Sequence, residues 1–347
     1  MAAPFMQSFG TTFSFFGAAA SGIASPEVTY GTNPEATLET GVCVRSVTVN
    51  PGVTVDEGYA CISSDPTAGV ATELFAGIPQ PEVVLETPGS FEGCGPLIYG
   101  ILRSTIVDGG AGPTYTHEYP WDASEWPSWS VQVERGNYGT VNAAAAAWEI
   151  NGLQVNEWTI TQEAGKVLAF TFSCIAQTAT RGTAVSPVPT PNTAPIRAGA
   201  LTTSDVIWDG VTYCLDEDAT VTISRNAERN PCFMGTTDAE PSTGTPSLTV
   251  TFTRKRRTSP SDTADNFLDA LIAGTIGAFS MSFTDGTNVF TLSAPFAQVT
   301  EHNGDELQQQ TPTVSESVTL TFLADPTATD EVVTVDITNG TISGLGN

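Results

Sequence analysis

The chain has 347 residues, of which 40 % are hydrophobic and only 14 % charged, and 38 acids against 12 bases give a net charge of −26. Length and hydrophobic content exclude a disordered tail and allow one large or two medium cores. So acidic a chain does not bind the outside of a nucleic acid, where affinity comes from Lys and Arg on phosphates, and no apolar run approaches the ~20 residues of a membrane span.

Residues 1–40 read as an N-terminal arm. Small residues near Ala18–Ala20 imitate a secretion signal, but the segment has no Lys or Arg and its apolar stretch is interrupted. Val42–Val49 and Val53–Cys61 alternate around Pro51–Gly52 and predict a hairpin. Glu82–Thr87 reads as a strand, and Pro96 with Leu97, Ile98, Ile101 and Leu102 as a short helix. The Gly/Pro-rich stretch 108–128 carries Tyr115, Tyr119, Trp121 and Trp126 and reads as a long loop. Trp129–Arg135 alternates as a strand. Asn142–Ala147 starts a helix or continues a strand, and Leu153–Ile160 with Val167–Ala176 predicts a hairpin around Glu163–Gly165.

Residues 181–200 are rich in Pro and Thr and read as a linker between a first domain, 41–180, and a second, 201–347. Beyond it, Val206–Leu215 and Ala219–Ser224 predict a strand pair, and Ser247–Thr253 a strand that runs into Arg254, Lys255, Arg256 and Arg257. That basic run sits at a strand end or hairpin tip, where it is either solvated or seeks an acidic patch on a neighbouring copy. Residues 262–276 predict a helix with Leu268, Leu271, Ile272 and Ile276 as its apolar stripe and Gly277 as its stop. Phe279–Phe283 and Val289–Phe296 form a hairpin, Asp209–Gly210 and Asp285–Gly286 are turn chemistry, and Val318–Phe322 and Val332–Ile337 close the chain. Residues 165–177, GKVLAFTFSCIAQ, echo residues 286–298, GTNVFTLSAPFAQ, and suggest a duplication.

Chemistry is sparse. His117 and His302 belong to no metal signature. There is no G-x-S-x-G elbow, and with only Lys166 and Lys255 there is no phosphate-binding loop. The scattered cysteines, Cys43, Cys61, Cys94, Cys174, Cys214 and Cys232, read as reduced, buried residues. Trp121, Trp126 and Trp129 beside Asp122 and Glu125 are either a sugar-stacking platform or an interface loop. No cofactor, metal or catalytic residue is implied.

Thr114–Pro120, Pro127–Glu134 and Gly152–Ile160, with the Asp265–Ile276 helix and the hairpin ending Ala294–Pro295–Phe296, resemble major tail tube proteins of long-tailed bacteriophages. The resemblance covers residues 90–337. It implies a mainly β chain of two tandem tail-tube-like β-sandwich or barrel domains, each with a short flanking helix. It implies a virion protein assembled in the host cytoplasm, whose rings stack around an acidic channel that DNA crosses without specific binding. Three copies per ring would give pseudo-sixfold symmetry. Tape measure, tail terminator and distal tail proteins are the implied partners, with no enzyme activity and no membrane. Residues 108–128, and the Arg254–Arg257 tip, are the implied inter-ring contacts. The alternatives are another virion component, such as a decoration or tail-tip protein, and a secreted carbohydrate-binding or glycosidase protein.

Overall fold

The computed structural model describes residues 11–17, 23–33, 37–52, 55–59, 71–76, 79–102, 106–111, 114–122, 126–135, 147–163, 165–182, 185, 196, 203–213, 218–230, 239–257, 267–303, 313–325 and 332–340. In chain order the first half holds β1 (Thr11–Gly17), β2 (Thr37–Val42), β3 (Ser46–Asn50), β4 (Val55–Tyr59), β5 (Ala71–Ala76), β6 (Glu82–Pro88), α1 (Gly95–Leu102), β7 (Val107–Ala111), β8 (Thr114–Pro120), β9 (Trp129–Arg135), β10 (Ala147–Glu163), β11 (Ala169–Ile175) and β12 (Thr178–Gly182). The second holds β13 (Thr203–Trp208), β14 (Val211–Tyr213), β15 (Asp218–Ser224), β16 (Glu228–Asn230), β17 (Ala239–Ser242), β18 (Ser247–Arg257), α2 (Phe267–Ala273), β19 (Ile276–Thr284), β20 (Val289–Asn303), β21 (Thr313–Phe322) and β22 (Thr334–Asn339). The chain is mainly β, and every ladder is antiparallel.

The two halves repeat one topology. β1–β2, β1–β9, β9–β10, β10–β12, β10–β11, β11–β6 and β6–β3 pair in the first half. Their counterparts are β13–β14, β13–β19, β19–β20, β20–β22, β20–β21, β21–β18 and β18–β15. The small hairpins β4–β5 and β16–β17 match as well, and each helix precedes the β9 or β19 strand. Even the irregularities coincide. β10 bulges between Ile150 and Leu153 and again between Val155 and Glu157. In β20, residues Ala294 to Ala297 and Val299 to Glu301 do the same. A bulge twists and bends its strand, so each long strand leaves one sheet at the bulges and enters another.

This correspondence corrects the echo read from the sequence. Residues 165–177 lie in and around β11, whose counterpart is β21, whereas residues 286–298 lie in β20, the counterpart of β10. The equivalent short match is Gln154–Val155–Asn156–Glu157 with Gln298–Val299–Thr300–Glu301, centred on the shared bulge.

Other expectations change with the pairing. The Val42–Val49 and Val53–Cys61 runs are not a hairpin: β3 pairs with β6, and Pro51–Gly52 leads on to the β4–β5 hairpin. β15 pairs with β10 and β18 rather than with β14. Residues 11–17, within the expected arm, form a strand between β2 and β9, with Phe13 and Phe15 fully buried. The stretch 108–128 contains the β7–β8 hairpin instead of being one loop. Of the predicted helix, residues 262–266 lie outside the described residues, and α2 stops earlier than predicted, at Gly274, whose φ of +66° suits a residue without a Cβ, while Gly277 lies inside β19. Of the undecided segment 142–147, residues 142–146 lie outside the described residues and Ala147 opens β10.

Two seams join the halves. The outer part of β10 pairs with β15, from Glu157↔Ser224 to Glu163↔Asp218, and β8 pairs with β22. Trp158 of β10 stacks on Phe172 (5.6 Å) and meets Phe170 and, across the core, Phe290 of β20 edge-on (5.3 and 6.4 Å). The buried Arg225, just after β15, reaches into the first half. Its guanidinium donates to Ile101 O (2.8 Å) and Leu102 O (3.3 Å) at the end of α1 and to Asp122 O (2.9 Å). A cation is favoured there by the helix dipole and by carbonyls left without helical partners. Glu27 stitches the N-terminal segment down: its carboxylate accepts from Ser128 Oγ (2.7 Å), Ser130 Oγ (2.5 Å), Gly31 N (2.8 Å) and Gly152 N (2.9 Å).

Arg225→Ala strips a donor from two buried carbonyls and one half-buried one, so it is expected to cost about 3 kcal/mol. Urea unfolding checks this, and an unchanged midpoint would contradict the account of the seam.

Candidate channel face and interfaces

The main ladders assemble an eight-stranded sheet in the order β3-β6-β11-β10-β15-β18-β21-β20, four strands from each half. Alternation gives it two unlike faces. One face packs the core through Val83, Leu85, Phe170, Phe172, Trp158, Ile160, Val221, Ile223, Val250, Phe252, Val318 and Leu320. The other is a lattice of hydroxyls in register. One row runs Ser46, Glu86, Thr171, Thr159, Thr222, Thr249, Thr321, Gln298. The next on one side holds Ala169, Thr161, Thr220, Thr251, Thr319 and Glu301; the next on the other holds Thr48, Val84, Ser173, Glu157, Ser224 and Ser247.

Thr251 and Thr319 share a hydroxyl hydrogen bond (3.1 Å), as do Thr300 and Thr321 (3.1 Å). Threonine suits this surface because its β-branch favours the pleat while its short neutral hydroxyl leaves little to grip a ligand. The charged residues in these rows are all acids: Glu86, Glu157 and Glu301, with Glu163 opposite Asp218 one row further on. Lys166 folds back onto Glu163 at the β10–β11 turn.

The aromatic residues singled out in the sequence mostly pack inside the chain. Tyr119 and Trp129 are buried, as are Trp121 (6 % exposed) and Trp126 (9 %), while Tyr115 on β8 is half-buried. Trp121 lies over the Arg225 guanidinium at 4.5 Å and Trp126 at 5.9 Å. Trp126 also donates to Val155 O (3.0 Å). Trp129 meets Phe15 and Tyr99 edge-on. The indole faces of a sugar platform are thus taken by an internal cation. Arg225 was invisible in the sequence because an isolated Arg carries no signature.

Arg254–Arg257 form the end of β18, the first of the two placements read from the sequence, with backbone partners from Glu316 to Thr313 on β21. Beside them Glu316 is buried and His302 Nε2 lies 3.2 Å from its carboxylate. His117 is buried too, with Nδ1 2.6 Å from Asp108 and Nε2 facing Asn339 Oδ1 at 3.3 Å, and Asn339 donates to Phe91 O. These contacts lock the β7–β8–β22 hairpins together. Among the described residues no group of His, Cys, Asp and Glu could hold a metal. Cys43, Cys94 and Cys174 are free thiols; burial pushes Cys94 up to about 12 and raises Cys174 further, whereas Cys61, Cys214 and Cys232 lie outside the described residues.

A family model described as phage tail tube protein matches residues 8–339, nearly the whole chain. The chain belongs to the phage tail tube family. It is therefore a structural component of a phage tail, from a family that assembles with itself and with other tail proteins. The match reaches well before residue 90, in keeping with β1 and β2 being part of the sheet. No curated protein matches the chain.

Asp336 of β22 stands opposite Glu118 of β8. Burial, and then the Glu118 charge, raise the Asp336 carboxyl above the ordinary carboxylate value. The folded chain thus holds this proton more tightly than the unfolded chain does. The site favours folding at low pH, and that contribution is lost as pH rises through the raised value. Asp336→Asn is expected to raise the melting temperature at neutral pH and to leave it unchanged below the carboxylate range. Equal shifts at both pH values would contradict this.

Proposed function

We propose that this protein is the major tail tube subunit: copies close into rings, rings stack into a tube, and the hydroxyl-lined acidic face of the eight-stranded sheet is the channel wall. The observation that carries the reading is that face. It is continuous across both halves and threonine-rich, and along its strands Lys and Arg enter it at the far end of β18, where Lys255 and Arg257 continue the alternation of Thr249, Thr251 and Thr253. Phosphate contacts from basic side chains would hold DNA back. A wall of short neutral hydroxyls and scattered acids lets it pass.

Four strands from each half make the chain two quasi-equivalent wall units, so a ring of three copies has pseudo-sixfold symmetry. Three such walls place about 24 strands around the channel, with a backbone radius of about 18 Å at ~4.8 Å per strand before tilt widens it. Side chains reach inward about 5 Å, half the spacing of packed sheets. The remaining radius of about 13 Å leaves room for a double helix. Arg254–Arg257, at one end of the wall sheet, supply positive charge where one ring would meet the acidic surface of the next. The tape measure, terminator and distal tail proteins are the further partners of such a tube, assembled in the host cytoplasm.

Electron microscopy of the purified chain tests the reading: rings or tubes with an axial pore are expected. Particles that stay monomeric at high concentration, or fibres without a pore, would overturn it. Arg254→Glu with Arg256→Glu is expected to leave rings and abolish their stacking, and normal tubes from this variant would remove the basic run from the account.

A further inference from the structure

We infer that the open flank of the second half, made by the outer edge of β20 and the exposed side of α2, receives the β3 flank of a second copy of this chain in the register that β10 and β15 keep inside one chain. The inference rests on the self-assembly reading and adds which surfaces meet and how they are aligned.

The internal seam is the template. β10 has β9 on one edge of its first part and β15 on the same edge of its second part. β20, its counterpart, has β19 on that edge only as far as Gln298, and Glu301–Asn303 have no ladder partner there among the described residues. The strand equivalent to β15 is β3. It pairs with β6 on one side and has no ladder on the other among the described residues. An unpaired pair of complementary edges at opposite flanks of one sheet joins copies head to tail, and the result is a ring where the rotation between copies closes.

The register follows from the shared bulges. Glu157, just past the bulge in β10, corresponds to Glu301. Val83 and Val250 occupy equivalent ladder positions, which makes Asn50 the counterpart of Thr222. Inside the chain Thr159 faces Thr222. Between copies the same alignment sets Asn303 against Asn50.

The helices supply an independent observation. α1 packs on β10 and α2 on β20, yet their surroundings differ. Leu97, Ile98, Ile101 and Leu102 of α1 are completely buried, and the segment after β15 closes over its end through Arg225. On α2, Phe267 packs inward against Trp208, Tyr213 and Phe252, while Leu268 (40 % exposed), Ile272 (76 %) and the following Ile276 (50 %) form an uncovered apolar stripe. α1 is covered along its length by β10 and β8 of its own half, and at its end by Arg225 of the unit that joins β10; α2 has no counterpart of the β7–β8 hairpin between it and β19. The unit that would cover α2 is the one that joins β20, namely the segment after β3 of the next copy, starting at Pro51–Gly52.

The test is the double variant Asn50→Cys, Asn303→Cys, oxidised after assembly and run on a non-reducing gel. Both positions are exposed. Directly opposed residues of an antiparallel pair bring their Cα atoms within disulfide range. Within one chain the two sites stand on opposite flanks of an eight-stranded sheet, too far apart to link. A ladder of covalent oligomers ending at the ring size is expected, absent from each single variant. Ile272→Glu should lose assembly while keeping its circular dichroism and melting temperature. Assembled particles without the ladder, or Ile272→Glu particles like the wild type, overturn this inference and leave the self-assembly reading standing. If the wild-type chain itself forms no particles, the self-assembly reading fails first.

Discussion

The backbone hydrogen bonds of two long strands organise this molecule. β10 and β20 are too long and too bent to keep one partner along an edge, and each changes partner at a pair of bulges. An edge left unpaired is a liability in any β protein. In β10 the second half of the same chain relieves it. The equivalent stretch of β20 lies at the flank, where in the proposed assembly a further copy of the first half presents the matching strand. The β10–β15 seam is thus the template for the contact proposed between copies.

Charge is distributed to suit. The wall rows spend their positions on threonine and serine, with acids where charge appears at all. Apart from the basic end of β18, the scarce bases with described partners are placed elsewhere. Arg225 is sunk between Trp121 and Trp126 at the end of α1, Arg229 donates to Pro81 O and Ala176 O, and Arg181 lies over Trp148 at 4.7 Å. A buried guanidinium bound to backbone carbonyls fixes the angle between the halves as well as their contact.

Strand periodicity was readable wherever one face is buried. Glu82–Thr87, Trp129–Arg135 and the β10–β11 and β19–β20 hairpins follow directly from alternation, and Asp209–Gly210 has the positive φ values (49° and 75°) of a hairpin turn. Partner choice was not readable, because alternation says which face is buried and nothing about which strand lies alongside. That is why Pro51–Gly52 suggested a hairpin that the ladders do not make. The repeat was detected in the wrong register for a related reason. Apolar strands resemble one another, and the diagnostic residues are the four around the bulge, Gln154–Glu157 and Gln298–Glu301. The tryptophans were legible as important, but their internal partner, Arg225, came from a distant strand end. The hydroxyl wall appears only once the ladders align the separate threonines of six strands into rows.

Hydrogen exchange on assembled against monomeric protein tests the shared-edge claim most directly. The account predicts that amides in Ser46–Asn50 and Glu301–Asn303 become protected on assembly, to the level of the β10–β15 ladder. Unchanged exchange at both edges in fully assembled particles would contradict it.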